Sequence, residues 1–207
     1  MFFQQFKKEL ENHGGFDVSK IQKAYDFAET AHHNQKRKSG EPFITHPVEV
    51  AEIVYQIGGD ENMVCAALLH DVLEDGDHSE ETKQKIKEDF GYDVFFLVDT
   101  LSKDCRIQDC MMRQDEYFER LNEALKMDVS VFFLKMADLI HNLKTIQGLS
   151  PEKQKKWIRE LREQYIPMMS NHFHHTSFHY DEMYLNLINE LESVIEKFEK
   201  EGLLYNS

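Results

Sequence analysis

Apolar residues recur along this chain at spacings of three and four over most of its length. Phe2, Phe3, Phe6 and Leu10 share one side of a first helical stretch. Asp17 is placed to cap a second, whose inward face is Ile21, Ala24, Tyr25, Ala28 and His32. Residues 34–45 contain KRKSGEP, which breaks the period and predicts a polar loop. Pro47 then occupies a first helical position, with Val48, Ala51, Ile53, Val54 and Ile57 behind it and Gly58-Gly59 as the stop. Asp60 opens the next helix, through Val64, Ala67, Leu68 and Val72. Ser79 opens another, which Phe90 and Gly91 close.

Residues 92–101 predict an apolar helix and residues 102–110 a mobile polar loop. Met112, Tyr117, Leu121 and Leu125 form a stripe over 111–126. Residues 129–147 are apolar at first and polar at the end, the pattern of a central buried helix. Ser150-Pro151 carries cap and first-turn chemistry, and the last helix runs from about Asp181 to Gly202. No alternating strand, hairpin signal, internal repeat or composition shift is visible. The expected architecture is therefore all-α: one domain over residues 1–207, of about ten helices.

Composition sharpens this picture. At 207 residues the chain suits one domain, and Gly and Pro together make up about 6% of it, roughly half of average usage. So few turn-formers argue against a many-stranded sandwich or barrel. A formal charge of −14 repels a phosphate backbone, which argues against nonspecific nucleic-acid or membrane-surface binding. It leaves room for a small anionic substrate held by a local basic patch. Cys65, Cys105 and Cys110 are odd in number and form no CxxC pair, which points to a reducing cytoplasm rather than a disulfide framework. The N-terminus lacks an apolar core with a small-residue cleavage site, and no apolar run is long enough to span a bilayer.

His70-Asp71 is the sharpest chemical feature, at the polar end of a helix containing Ala66, Ala67, Leu68 and Leu69. His46 starts the preceding helix, and Asp138 lies in KMADLIHN, where an apolar helix turns polar. Two imidazoles and two carboxylates suit a divalent transition ion. A buried His–Asp pair with two unrelated polar residues is the plain alternative. On a straight helix Glu74 falls four residues after His70, and Asp75 four after Asp71. The acidic groups at 71, 74, 75 and 77 repel one another, which either a bound cation or solvation would offset. With a cation present, Glu74 or Asp75 can orient or deprotonate a water that attacks phosphorus.

Arg37-Lys38-Ser39-Gly40, with Lys36 adjacent, is a concentrated cationic spot six residues or so before His46. Such a turn is often simply solvated, but Arg offers a planar fork and Lys a point charge to phosphate. Asp138, Asn142 and Thr145 line one helical face. Asn142 can read a base or ribose edge, or be an ordinary buried Asn, and His141 either supports the ligands or belongs to the core. His172, His174, His175 and His179 read as a surface or packing cluster rather than a second metal site.

Four ordered segments carry a resemblance: AHHNQKRKSGEPFITHPVEVAEI (31–53), AALLHDVLED (66–75), FGYDVFFLVDTLSKD (90–104) and LKMADLIHNLKTIQGLSPEKQ (134–154). Together they resemble the hydrolase domain of the RelA/SpoT alarmone family, from about residue 20 to 168, with 181–202 as an appendage. The resemblance implies an all-helical HD-type domain that binds one manganese ion and removes the 3′-pyrophosphate of guanosine tetra- and pentaphosphate. By position it implies the metal ligands His46, His70, Asp71 and Asp138, and the catalytic acidic pair Glu74 and Asp75. It also implies nucleotide contacts at Arg37, Lys38, Ser39, Asn142 and Thr145. The chain departs from the family in Leu139, where Arg usually follows the last ligand, and in PMMSNHF, where PLAHRLG is usual. It stops where a synthetase domain would begin, so a stand-alone small alarmone hydrolase is expected. The same chemistry on another nucleotide such as NADPH, or a silent alarmone sensor, are the alternatives. The intact Glu74-Asp75 pair favours catalysis, since a pure binder has no need of anions beside an anionic ligand.

Overall fold

The computed structural model describes residues 2–76, 79–172 and 178–200. Its elements are α1 (Phe2–His13), α2 (Val18–Ala31), α3 (Thr45–Gln56), α4 (Glu61–Leu69), a π-helical turn (Val72–Gly76), α5 (Glu80–Phe90), α6 (Tyr92–Leu101), α7 (Cys110–Met127), α8 (Ser130–Lys144), a 3₁₀ turn (Ile146–Gly148), α9 (Pro151–Glu160), a second π turn (Leu161–Tyr165), α10 (Ile166–His172) and α11 (Phe178–Lys200). The described residues contain no strand beyond a single bridge between Lys36 and Pro42. The all-α expectation holds.

The helix starts follow from side chains able to satisfy orphan amides. Asp17 accepts from the amides of Ser19 and Lys20, Asp60 from Met63, Ser79 from Thr82, and Asp109 from Met111 and Met112. Gly59 ends the α3 turn for steric reasons: a Cβ there would lie 2.5 Å from Val54 Cγ1. Gly91 has φ +92°, a left-handed conformation that favours glycine, and it turns the chain from α5 into α6.

Two expectations need correction. Helix α3 begins at Thr45, so Pro47 is its third residue, because His46 N already donates to Phe43 O in the turn before it. Pro47 is still tolerated there, since amides of the first turn have no helical partner. Helix α4 ends at Leu69 rather than running through Val72, and the chain continues into the π turn. Glu74 and Asp75 therefore do not lie one straight α-turn above His70 and Asp71. The side chains of Phe2 and Asp75 lie outside the described residues, as do those of His172 and His179 and all of His174 and His175.

Helix α8 is the axis of the core. Residues 131–141 are buried without interruption, and α8 packs against α3, α4, α6, α7 and α11. Helix α4 is buried from Met63 to Leu69 and lies against α2, α3 and α6. Phe3, Phe6 and Leu10 bury the inner face of α1, and Phe3 stacks on Tyr25 at 3.9 Å between ring centroids. Among the described residues no helix is long and apolar enough to cross a membrane.

Glu52 on α3 gives the fold a pH dependence. Burial, then the carboxylates of Glu49 and Glu9, raise its pKa to about 7. The folded chain holds a proton here that the unfolded chain has released above about 4.5, so this group's contribution to stability falls as pH rises between those values. Glu52→Gln should raise the Tm at pH 8 and leave it unchanged near pH 4, as read by thermal melts at both.

Candidate metal centre and active site

The start of α3, the end of α4 and the second half of α8 meet at one point. His46 comes from the first, His70 and Asp71 from the second, and Asp138 from the third. The Nε2 atoms of His46 and His70 are 3.2 Å apart. His46 Nε2 is 3.3 Å from Asp71 Oδ2 and 3.3 Å from Asp138 Oδ1. His70 Nε2 is 3.3 Å from Asp71 Oδ1 and 3.7 Å from Asp138 Oδ1. Donor atoms about 2.1 Å from one ion are separated by roughly 3.0–3.5 Å, so this spacing suits a single coordination sphere. His46, His70 and Asp138 are buried, with ligand atoms all within 4.8 Å of one another. Asp71 is more exposed and stands at the mouth.

Hydrogen bonds behind the rings decide which lone pairs face inward. His70 Nδ1 is 2.7 Å from Ala67 O, so it carries the proton and donates. On the other side, His141 Nε2 is 2.8 Å from Glu49 Oε2, and His141 Nδ1 is 2.6 Å from His46 Nδ1. With Nε2–H of His141 given to the carboxylate, its Nδ1 accepts from His46 Nδ1–H. Both neutral ligand imidazoles then present a bare Nε2 to the centre, the tautomer a cation needs. With both rings neutral, two lone pairs would face each other at 3.2 Å, a repulsion that a cation between them, or a proton on His70, removes.

The charges agree. Burial, with the positive charges of His70 and Arg37, lowers the His46 pKa to about 3 and keeps it neutral. Burial also disfavours charge on His70, but Asp71 and Asp138 outweigh it and raise the pKa to about 9 without an ion. A proton there occupies ground where positive charge is stabilised. Asp138 is buried, yet Lys135 and the two imidazoles hold its pKa well below the usual carboxylate range. Lys135 Nζ donates to Asp138 Oδ2 at 2.8 Å, and Asn142 Nδ2 donates to Oδ1 at 2.6 Å.

The basic loop closes the other side. Arg37 Nη2 donates to Asn142 Oδ1 at 3.0 Å and to Thr145 Oγ1 at 3.2 Å. Gly148 lets the loop approach, since a Cβ there would lie 3.3 Å from Ser39 N. Arg37, Lys38, Ser39, Asn142 and Thr145 all line one cavity of about 390 Å³. An adjoining cavity of about 250 Å³ is lined by His46, His70, Asp71, Glu74, Asp138 and the buried Leu139, and it shares Arg37, Phe43, Asn142 and Trp157 with the first. Glu74 Oε2 accepts from Lys103 N at 3.0 Å. That amide is held in turn by α7, where Arg120 donates to the carbonyls of Asp99, Thr100 and Ser102 at the end of α6.

Sequence reading missed Lys135 and Glu49 and left the place of His141 open. A lysine inside an apolar helix three residues before Asp138, and a glutamate three after His46, were the available signals.

A family profile described as HD domain matches residues 24–172. The chain belongs to the HD-domain family. It is 39% identical over 172 residues to a probable guanosine-3′,5′-bis(diphosphate) 3′-pyrophosphohydrolase of Synechocystis sp., covering 80% of this chain and 22% of that protein. It is 41% identical over 143 residues to the guanosine-3′,5′-bis(diphosphate) 3′-pyrophosphohydrolase of Haemophilus influenzae, covering 68% of this chain and 21% of that protein. The chain thus spans about a fifth of the length of these relatives. A solved structure of a metazoan ortholog of SpoT, described as hydrolysing ppGpp and playing a role in starvation responses, is 25% identical. It superposes with a TM-score of 0.61, covering 89% of this chain and 97% of that one. The expected resemblance to the RelA/SpoT hydrolases is a homology.

His141→Phe removes the acceptor that fixes the His46 tautomer. Divalent-ion affinity, measured by titration with Mn²⁺, should fall about 10–100-fold while the far-ultraviolet circular dichroism is retained.

Proposed function

We propose that this chain is a divalent-metal 3′-pyrophosphohydrolase of guanosine 3′,5′-bis(diphosphate) and its pentaphosphate. The observation that carries the reading is the confluence of the two cavities. One is edged by Lys36, Arg37 and Lys38, and the other holds the His46–His70–Asp71–Asp138 cluster, with Arg37 and Asn142 on the wall between them. A substrate with a nucleoside part and a pyrophosphate arm has one place for each.

His46, His70, Asp71 and Asp138 would hold the ion. Mixed imidazole and carboxylate ligands suit manganese, which the RelA/SpoT resemblance implies, as well as iron, cobalt or zinc. The bound ion would supply Lewis acidity toward a phosphoryl oxygen and positive charge for the pyrophosphate. The chain's own residues do the rest. Arg37 offers its guanidinium fork to phosphate oxygens, offsetting the negative field of the protein. Asn142 and Thr145, which hold Arg37 in this structure, turn toward the nucleoside. Glu74, anchored by the Lys103 amide through one carboxylate oxygen, uses the other to take a proton from water, with Asp75 beside it in sequence.

The water oxygen bonds to the phosphorus on the ribose 3′ oxygen and the P–O3′ bond breaks. The 3′ oxygen gains a proton and leaves as a hydroxyl, so the products are GDP or GTP plus pyrophosphate. No ATP or acceptor nucleotide is needed. A cytoplasmic setting fits a soluble nucleotide substrate and the free thiols of Cys65, Cys105 and Cys110.

Phosphorus NMR of guanosine tetraphosphate with the purified chain and Mn²⁺ is the direct test. Pyrophosphate and GDP should appear together, and orthophosphate as the first product would refute the reaction. In Glu74→Gln with Asp75→Asn, turnover should drop by roughly 10²–10⁴ with nucleotide affinity retained. Arg37→Ala should weaken substrate binding by about 1.5–3 kcal/mol, the loss of a charged hydrogen bond, with metal content unchanged on the same preparation.

A further inference from the structure

Trp157 is the chain's single tryptophan, and it packs against the edge of the core with part of its ring left over. It sits on α9, a helix in which no side chain is fully buried. Among the described residues its indole stacks on no ring and its Nε1–H donates to no acceptor. Yet it is half-buried, because it lines both the basic cavity and the metal-side cavity. Ile146 and Leu149 add apolar surface to the basic cavity, while Asn142 brings an amide and Arg37 a charge to its wall with the other cavity. A flat aromatic face, an apolar floor and an amide at the edge make a slot for a planar heterocycle with polar edges.

We propose that Trp157 is a specificity-determining residue that stacks on the nucleobase and makes this site prefer purine over pyrimidine nucleotides. The proposal rests on the nucleotide reading above, since that reading puts the nucleoside part of the substrate in the basic cavity. Stacking holds every base by its face, but the two-ring purine covers more of an indole than a pyrimidine does. The base lies on Trp157 while Asn142 meets its edge and the 3′ arm passes over the shared wall toward His46 and Asp138. Because Trp157 lies on both sides of that wall, it fixes how far the nucleoside enters, and so where the 3′ group stops. No side chain of α9 is fully buried, and Trp157→Phe keeps an aromatic ring against the core, so that variant separates loss of stacking from loss of packing.

The test uses GDP and UDP on the whole chain, because neither carries a 3′ phosphate that could be turned over. Calorimetry should show GDP binding at least about tenfold tighter than UDP in the wild type. Trp157→Ala should lose about tenfold or more in GDP affinity and bring the two nucleotides close together. Trp157→Phe, which keeps a ring, should stay within about threefold of wild type for GDP. Mn²⁺ content should be the same in all three. As the sole tryptophan, residue 157 also reports directly, and GDP should quench its fluorescence in the wild type. Unchanged GDP affinity in Trp157→Ala, absence of quenching, or no measurable GDP binding by the wild type would each overturn the proposal. Failure of the reaction leaves these measurements intact: a chain that binds GDP through Trp157 but releases no pyrophosphate from guanosine tetraphosphate keeps the slot and loses the hydrolase.

Discussion

The arrangement turns on one buried carboxylate. Asp138 is 6% exposed, in the continuously buried stretch of α8. An ionised carboxylate in such a place is strongly destabilising unless every oxygen is engaged. Here Oδ2 takes the Lys135 ammonium and Oδ1 takes the Asn142 amide and faces the two imidazoles. Each partner belongs to a constraint of its own. Lys135 is held between the rings of Tyr117 and Tyr165, from α7 and the second π turn. His46 and His70 fix the start of α3 and the end of α4 against α8. The packing of four segments is thus coupled to the ionisation of one side chain.

The same carboxylate is tied to the basic loop through one side chain. Asn142 donates to Asp138 with its amide nitrogen and accepts from Arg37 with its oxygen. Arg37 and the candidate metal ligand Asp138 are therefore two hydrogen bonds apart. A polyanion that draws Arg37 away frees the Asn142 oxygen, which then needs another donor. A nucleoside edge can provide one, which gives a physical reason for the two cavities to share that residue.

The acidic character of the chain is compatible with a polyanionic ligand because charge is local at this range. At physiological ionic strength, interactions are screened beyond about 8 Å, so the cationic residues of one loop outweigh distant surface carboxylates. The screening is weaker inside the cavities, where the ion's positive charge would lie.

The sequence by itself determined which segments are helical, through the three-and-four spacing of apolar residues and caps such as Asp17, Asp60 and Ser79. It also singled out His46, His70, Asp71 and Asp138 as candidate ligands, because polar residues at the ends of apolar helices stand out against the pattern around them, and the fold brings these four together. It could not show that Glu49 and His141, 92 positions apart, act on one ring of His46. Such a contact depends on the crossing of α3 over α8, which leaves no trace in either helix's period. It likewise took Glu74 for a continuation of α4, because a π turn has no distinct apolar spacing. The place of Trp157 was invisible for a related reason. A half-buried aromatic on an amphipathic helix looks the same whether it only covers a core or also faces a cavity, and only the tertiary structure put it on the wall of both cavities.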